Sequence, residues 1–150
     1  MSLCFLINLG KFVNVNASNN AERTIQNQVN DLFIAKSTIK HGINAKAYEI
    51  GAKDTKCTNP HGLDTEENYS TAWDIAKITC YAKKIAILSK IMNTTSITLN
   101  FGKTQKFLSN TNRLLHSYKY CDGGKTGYTA LAGSCLVTTA NKEDLNIVAV

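Results

Sequence analysis

The last 28 residues of the chain limit its fold most strongly, because they read as three consecutive short strands. Residues 123–131, 134–140 and 145–150 are rich in β-branched and apolar side chains, and short polar turns separate them. The second turn, residues 141–144, has the polar composition of a hairpin connection. Three strands joined by tight turns predict an antiparallel sheet at this end of the chain.

The first predicted strand carries the polar sequence Lys125-Thr126-Gly127-Tyr128. An ammonium group supplies positive charge and a hydroxyl supplies a directed donor, and together they suit a carboxylate. Gly127 has no side chain, so an extended peptide can lie along the strand and pair with its backbone. The plainer interpretation is a basic residue before a turn, since three common residues also recur by chance. The pattern predicts a site for an acidic peptide end if other parts of the chain support it.

Helical spacing of apolar residues predicts that helices precede the sheet. Residues 21–36 and 38–50 both show this spacing, and Gly51 is expected to end the second helix. Residues 96–101 and 105–108 alternate like two short strands joined at Gly102. Helices together with antiparallel strands predict an α+β fold, with a mostly antiparallel sheet and helices on its faces.

A further helix is predicted from the capping box that Thr71 and Asp74 form. We expect this helix to run to about Leu88 and to bury one apolar face. The predicted inward positions are Ile75, Ile78, Tyr81, Ala82 and Ile85.

Composition excludes several classes of function. The 150 residues are 43% hydrophobic and 19% charged, which suits one globular domain. A net charge of +6 could attract nucleic acid or an anionic polymer, but no nucleic-acid-binding module is recognisable, so we expect no nucleic-acid partner. The five cysteines and three histidines have no metal-ligand spacing, so we expect neither a metal site nor a cofactor. The cysteines are interpreted as small buried hydrophobes.

No apolar run is long enough to span a membrane. Residues 3–9 are apolar, but the run is short and lacks a basic flank, so it is a poor export signal. We therefore expect any export signal to lie upstream of these residues.

Five sequence blocks occur in a fixed order along the chain. They are NPHGLD at 59–64, YSTA at 69–72, NTNRLL at 110–115, DGGKTGYT at 122–129 and AGSCLV at 132–137. With these blocks the chain resembles the serine-type D-alanyl-D-alanine carboxypeptidases, the low-molecular-mass penicillin-binding proteins of peptidase family S11. The resemblance extends over residues 18–150 and implies a β-lactamase/transpeptidase-like fold. Residues 1–150 would form one partial domain, incomplete at both ends, with a location in the cell envelope or periplasm.

The resemblance also implies a chemistry. A serine attacks a peptidoglycan pentapeptide that ends in D-Ala-D-Ala, an acyl-enzyme forms, and water releases it. Lys125 and Thr126 would hold the terminal carboxylate beside Gly127, and the backbone N–H of Tyr128 would be one oxyanion-hole donor. β-Lactams would acylate the same serine as substrate mimics and so act as inhibitors.

Ser18 and Asn20 match the S-x-N element of the family. In that reading Ser18 relays a proton to the leaving amine, and Asn20 bonds the substrate's peptide carbonyl. The plainer interpretation of these residues is a helix N-cap.

The serine–lysine pair of the family should precede S-x-N, but in this chain the S-x-x-K match at Ser37 and Lys40 follows it. We therefore reject Ser37 as the nucleophile and expect the chain to be inactive alone, with a complementing N-terminal segment as its partner. An exposed sheet edge and an exposed apolar face are then expected. The alternatives are a non-catalytic module that binds stem peptides or β-lactams, a fragment without function, or a rearranged hydrolase using Ser37.

Four further residues receive structural interpretations. His61 and Asp64 are expected to stabilise their own loop, which Gly62 turns with a positive φ. Trp73 is expected to be a surface or partner-facing aromatic. Arg113 is expected to be an exposed arginine, and the alternative is that it adds positive charge near a substrate carboxylate.

Overall fold

The computed structural model describes residues 41–60, 62–102 and 104–150. The described helices are α1 (residues 41–49), α2 (Ala72–Lys83), α3 (Ala86–Met92) and α4 (Leu114–Ser117). The strands are β1 (Ser96–Phe101), β2 (Thr104–Ser109), β3 (Cys121–Thr129), β4 (Gly133–Lys142) and β5 (Leu145–Ala149). The α+β prediction is confirmed. The predictions for Ser18, Asn20, Ser37, Lys40 and His61 lie outside the described residues.

The described strands form two antiparallel sheets, in which hairpin turns join neighbouring strands. β1 and β2 pair with each other in a two-stranded sheet, and β3, β4 and β5 form a three-stranded sheet in chain order. A turn between Thr129 and Gly133 joins β3 to β4, and a tighter turn between Lys142 and Leu145 joins β4 to β5. Glu143 adopts φ 55° in that second turn. The five predicted strands are confirmed within a few residues at each end.

The core forms where α2 packs against the three-stranded sheet. Val137 of β4, Ile75 of α2 and Cys57 are almost fully buried together, and Val148 packs against them. Burying a side chain of this size contributes about 1.5–3 kcal/mol. A second cluster of Ala47, Ala52 and Ile78 packs α1 onto α2. α2 therefore links α1 and the sheet into one unit.

The opposite face of the three-stranded sheet is exposed in part, at three apolar side chains. Leu136 lies on the other face from Val137, and the register places Leu145 and Ile147 on the same side as Leu136. These three side chains are 37%, 58% and 49% exposed. This agrees with the exposed apolar face expected from the sequence. In the part of the chain that the structure describes, no helix has the length and apolar character needed to cross a bilayer.

The helix prediction for residues 72 to about 88 is wrong at its C-terminal end. α2 ends at Lys83, where the N–H groups of Lys84 and Ile85 bond the carbonyls three residues back, and Ile85 is extended before α3 begins. No glycine or proline marks this break, so local patterns did not reveal it. Ile75, Ile78 and Ala82 are buried as predicted, whereas Tyr81 and Ile85 are only half-buried.

The capping box at the start of α2 is half formed. The side chain of Thr71 accepts a hydrogen bond from the N–H of Asp74 at 3.1 Å, as predicted. The carboxylate of Asp74 is fully buried and accepts instead from the N–H of Asp54 at 2.7 Å, Thr55 Oγ1 at 2.9 Å and Lys77 Nζ at 3.2 Å. Burial acts to raise the pKa of Asp74, but the hydrogen bonds from Thr55, Lys77 and Asp54 hold that pKa below its ordinary value. Asp74 thus ties the preceding loop to α2.

Stability should therefore fall as the solution is made acidic. Because the folded-state pKa of Asp74 lies below its unfolded value, its stabilisation is fully present above the unfolded pKa of about 4 and is lost as pH falls through the folded pKa. Urea denaturation at pH 7, 5, 4 and 3 measures this loss. Asp74→Asn should lower the free energy of unfolding at pH 7 by about 1–3 kcal/mol and reduce its slope with pH. Asp144→Asn, at an exposed turn position, is the control. A slope equal to that of the wild type in Asp74→Asn would contradict this account.

Candidate active site

The Lys125-Thr126-Gly127 sequence lies in the middle of β3, as predicted. β3 pairs with β4 along one side, where Lys125 faces Val137, Thr126 faces Leu136 and Gly127 faces Cys135. Along its other side, none of the described strands pairs with β3. Backbone groups on such an edge can pair with an added peptide strand. The geometry therefore provides the extended platform that the sequence predicted.

The side chains of this stretch alternate between the two faces of the sheet. Lys125 and Gly127 share a face with buried Val137, and Lys125 is half-buried. The ammonium of Lys125 donates a hydrogen bond to the backbone carbonyl of Thr126. Tyr128 lies on the other face with 73% of its surface exposed. The ammonium and the hydroxyl are thus carried by adjacent residues of the strand, whose side chains leave the backbone on opposite faces of the sheet.

Gly124 lets β3 approach its neighbours closely. The register shifts between Cys121 and Gly123, and Gly124 then adopts φ 148°. A Cβ at Gly124 would lie 2.5 Å from the carbonyl oxygen of Val137 and 2.7 Å from Nδ2 of Asn112. Only glycine fits this approach, because an L residue would clash and also strain its φ. The sequence motif indicates a role for Gly127 but none for Gly124.

Asn112 fixes the start of this strand. Its side chain is 1% exposed, and its Nδ2 donates to the carbonyl of Gly123 at 3.3 Å and to Thr138 Oγ1 at 3.2 Å. Its Oδ1 accepts from the N–H of Leu114 at 3.1 Å. One buried amide therefore joins the segment before α4, β3 and β4. Asn112 belongs to the NTNRLL block, but no pattern in the sequence indicates this role.

A pair of hydroxyls links the same segment to the Lys125-Thr126-Gly127 sequence. Thr111 Oγ1 and Thr126 Oγ1 lie 2.5 Å apart. Thr111 is exposed, and so is Arg113, as predicted. The residue beside Thr126 is thus a threonine that the sequence reasoning did not single out.

An ion pair anchors the beginning of β3 to the end of α2. Lys83 Nζ lies 2.9 Å from Oδ2 of Asp122 and donates to the Asp122 carbonyl at 2.7 Å. Thr139 Oγ1 donates to Oδ1 of Asp122 at 2.6 Å. Burial acts to raise the pKa of Asp122, while the hydrogen bonds from Thr139 and Lys83 and the charge of Lys83 together hold it below its ordinary value. The break after Lys83 therefore coincides with the contact that positions β3.

Asp64 holds the other end of β3. Its Oδ1 accepts from Thr129 Oγ1 at 2.7 Å, and its Oδ2 accepts from the N–H of Leu131 at 3.1 Å. Asp64 was expected to stabilise its own loop, but these partners lie 65 and 67 residues away. Within the loop, Asn59 Oδ1 accepts from the N–H of Gly62 at 2.7 Å, and Gly62 has the predicted positive φ of 74°.

The remaining candidate residues are placed as follows. Trp73 is 71% exposed, as predicted. Four cysteines lie within the described residues, and all are free thiols. Cys57 is buried, and burial raises the pKa of its thiol to about 12. Cys80 is exposed, so the interpretation of every cysteine as a buried hydrophobe is wrong at that position, which lies on the outward side of α2. Among the described residues, no group of three His, Cys, Asp or Glu side chains is arranged to hold a metal ion.

Comparison with solved structures identifies the class of fold. The D-alanyl-D-alanine carboxypeptidase of Mycobacterium tuberculosis superposes with a TM-score of 0.70 at 30% sequence identity, over 75% of this chain and 44% of that one. This is the transpeptidase-like fold of the penicillin-binding proteins, as the sequence predicted.

Sequence comparison identifies the family. The family model described as D-alanyl-D-alanine carboxypeptidase, peptidase S11, matches residues 11–150, and the chain belongs to that family. The carboxypeptidase DacF of Bacillus subtilis is 40% identical over 109 residues, which are 72% of this chain and 28% of DacF. A D-alanyl-D-alanine endopeptidase of Pseudomonas aeruginosa is 34% identical over 118 residues, which are 75% of this chain and 38% of the endopeptidase. The chain thus spans less than half the length of these relatives.

Proposed function

We propose that this chain provides the carboxylate-binding part of a serine-type D-Ala-D-Ala carboxypeptidase that acts on peptidoglycan stem peptides in the cell envelope. The observation that carries the proposal is the position of Lys125-Thr126-Gly127 in the middle of β3, whose second edge meets none of the described strands. Asn112, Asp122 and Asp64 fix this strand at its start and at its end.

The substrate peptide would lie along β3 with its terminal carboxylate at Lys125 and Thr126. Hydrogen bonds to an ionised carboxylate from an ammonium and a hydroxyl are about twice as strong as neutral ones. Gly127 leaves room for the peptide backbone, and the N–H of Tyr128 would stabilise the oxyanion of the tetrahedral intermediate. A site that requires a terminal carboxylate selects the end of a chain, which is the specificity of a carboxypeptidase.

The reaction also needs a nucleophile and proton transfer. Ser18 would relay a proton to the leaving D-alanine, and Asn20 would bond the peptide carbonyl. The attacking serine belongs to a serine–lysine pair that precedes the S-x-N element in the family. Ser37 and Lys40 follow that element, so they are not this pair. We therefore expect the isolated chain to bind the peptide without hydrolysing it, and a complementing segment with the serine–lysine pair to restore hydrolysis and acylation by β-lactams.

An endopeptidase is the second candidate, because the Pseudomonas aeruginosa relative carries that name. An endopeptidase cuts within a peptide and does not require a terminal carboxylate at the cleavage site. The ammonium and hydroxyl on β3 favour the carboxypeptidase.

Isothermal titration with an acetylated tripeptide ending in D-Ala-D-Ala tests the proposal. The free acid should bind at least about ten-fold more tightly than its C-terminal amide, because the amide lacks the charge that Lys125 pairs with. Equal affinity for the two peptides would contradict the carboxylate site and favour the endopeptidase. A fluorescent penicillin that labels the chain alone, with labelling lost in Ser37→Ala, would contradict the assignment of the nucleophile.

A further inference from the structure

We propose that Thr111 is a positioning residue for the carboxylate site, because its hydroxyl lies 2.5 Å from that of Thr126 and directs the Thr126 proton toward the ligand. This inference rests on the function proposed above and assigns one more residue to the same site. Thr111 lies outside the Lys-Thr-Gly sequence, 15 residues earlier in the chain.

The number of available protons determines which of the two hydroxyls donates to the other. Each threonine hydroxyl has one proton to donate and lone pairs that accept, and an ionised carboxylate only accepts. Thr126 cannot give its single proton both to Thr111 and to the ligand. In the loaded site Thr126 therefore donates to the carboxylate, and the proton between the two hydroxyls comes from Thr111. Consecutive hydrogen bonds of this kind polarise and strengthen one another.

Both hydroxyls are carried on fixed backbone. Thr126 lies within the β3–β4 ladder opposite Leu136. Thr111 lies between two anchored asparagines: the N–H of Asn110 donates to the carbonyl of Thr95 at 2.7 Å, and Asn112 is buried in the contacts described above. A hydroxyl held in this way restricts the rotation of its partner before a ligand arrives, which lowers the entropy lost on binding.

The consequence is selectivity for the charged peptide end. Without the Thr111 proton, the Thr126 hydroxyl can rotate, and its hydrogen bond to an ionised acceptor loses cooperative support. A carboxylate should lose more from this than a neutral amide, because bonds to charged acceptors are the stronger ones. The ratio of acid to amide affinity therefore reports the role of Thr111, and a purely structural role would not change that ratio.

The test compares six proteins by titration with the acid and amide tripeptides. They are the wild type, Thr111→Val, Thr111→Ser, Thr126→Val, the double variant of Thr111→Val with Thr126→Val, and the control Thr98→Val. Thr98 is an exposed threonine on β1, in the separate two-stranded sheet. Thr111→Val should raise the Kd for the acid about 3- to 10-fold, the loss expected for one hydrogen bond, and lower the acid-to-amide ratio. Thr111→Ser keeps the hydroxyl, so its Kd for the acid and its acid-to-amide affinity ratio should be close to those of the wild type. Thr98→Val should match the wild type in both quantities. Adding Thr111→Val to Thr126→Val should have no further effect if Thr111 acts through Thr126.

Several results would overturn the inference. The wild type could prefer the acid tripeptide while Thr111→Val binds that acid with the same Kd. This result would refute the role of Thr111 and leave the proposed function intact. An equal loss of affinity for both peptides together with a lower melting temperature would assign Thr111 a structural role only. A wild-type chain that does not distinguish acid from amide would refute the proposed function, and the inference with it.

Discussion

Lys125→Ala should weaken the binding of a peptide acid ending in D-Ala-D-Ala by about 10- to 150-fold, which corresponds to the 1.5–3 kcal/mol of a hydrogen bond to a charged group. In the proposed function, the ammonium of Lys125 on β3 pairs with the terminal carboxylate of the peptide. Isothermal titration measures the loss. The amide peptide should bind the variant about as weakly as it binds the wild type, because it never formed this ion pair.

The matched control is Lys106→Ala, which removes an exposed lysine on β2 and the same unit of net charge. Its Kd for the acid should match that of the wild type. The difference between the variants should shrink as salt is added, since screening weakens an exposed ion pair. If Lys106→Ala weakened binding as much as Lys125→Ala, the attraction would come from the overall positive charge and not from a site on β3.

Gly124→Ala should lower the free energy of unfolding by about 2–4 kcal/mol, the combined effect of overpacking and a strained φ. The added methyl would lie 2.5 Å from a backbone carbonyl of β4 and 2.7 Å from the Asn112 amide, and neither group can move without disturbing the sheet. Urea denaturation measures the change. Peptide binding should weaken as well, because the same displacement shifts Lys125 and Thr126.

Alanine substitutions at two other glycines distinguish the effect of steric crowding on stability from the effect of backbone strain. A Cβ at Gly42 in α1 would meet nothing within 4 Å, so Gly42→Ala should be neutral or stabilising by up to about 1 kcal/mol. Gly133 has φ 68° but open space, so Gly133→Ala should cost only about 1 kcal/mol of strain. If Gly124→Ala lowered the free energy of unfolding only as much as Gly133→Ala, β3 and β4 would not pack as tightly as the structure indicates.

The strands were predictable because the burial of each side chain is reflected in the polarity of neighbouring residues in the sequence. β4 has one face on the core and the other exposed, and buried Val137 beside exposed Leu136 leaves a period of two in the sequence. Lys125-Thr126-Gly127 was recognisable for a similar reason, since its chemistry lies in adjacent residues. Thr71 likewise identified the start of α2, because an N-cap bonds an N–H only three residues on.

The end of α2 and the anchors of the site were not predictable in this way. Lys83 meets Asp122 across 39 residues, and Asp64 meets Thr129 across 65. Lysine and aspartate are common on protein surfaces, so the sequence around each of these residues does not show that it has a distant partner. α2 ends at Lys83 and Ile85 is extended, although no glycine or proline stands there, so tertiary contacts and not propensity decide that boundary.

The sequence alone determined the α+β class, the strand that carries Lys125 and Thr126, and membership of a family whose blocks stand in order along the chain. These properties follow from spacing between neighbouring residues, which the sequence displays directly. The tertiary structure decided how that strand is held: by Asn112 and Asp122 at its start, by Asp64 at its end, and by Thr111 beside Thr126. Those contacts join residues far apart in the chain, and only folding brings their polar atoms within hydrogen-bonding distance.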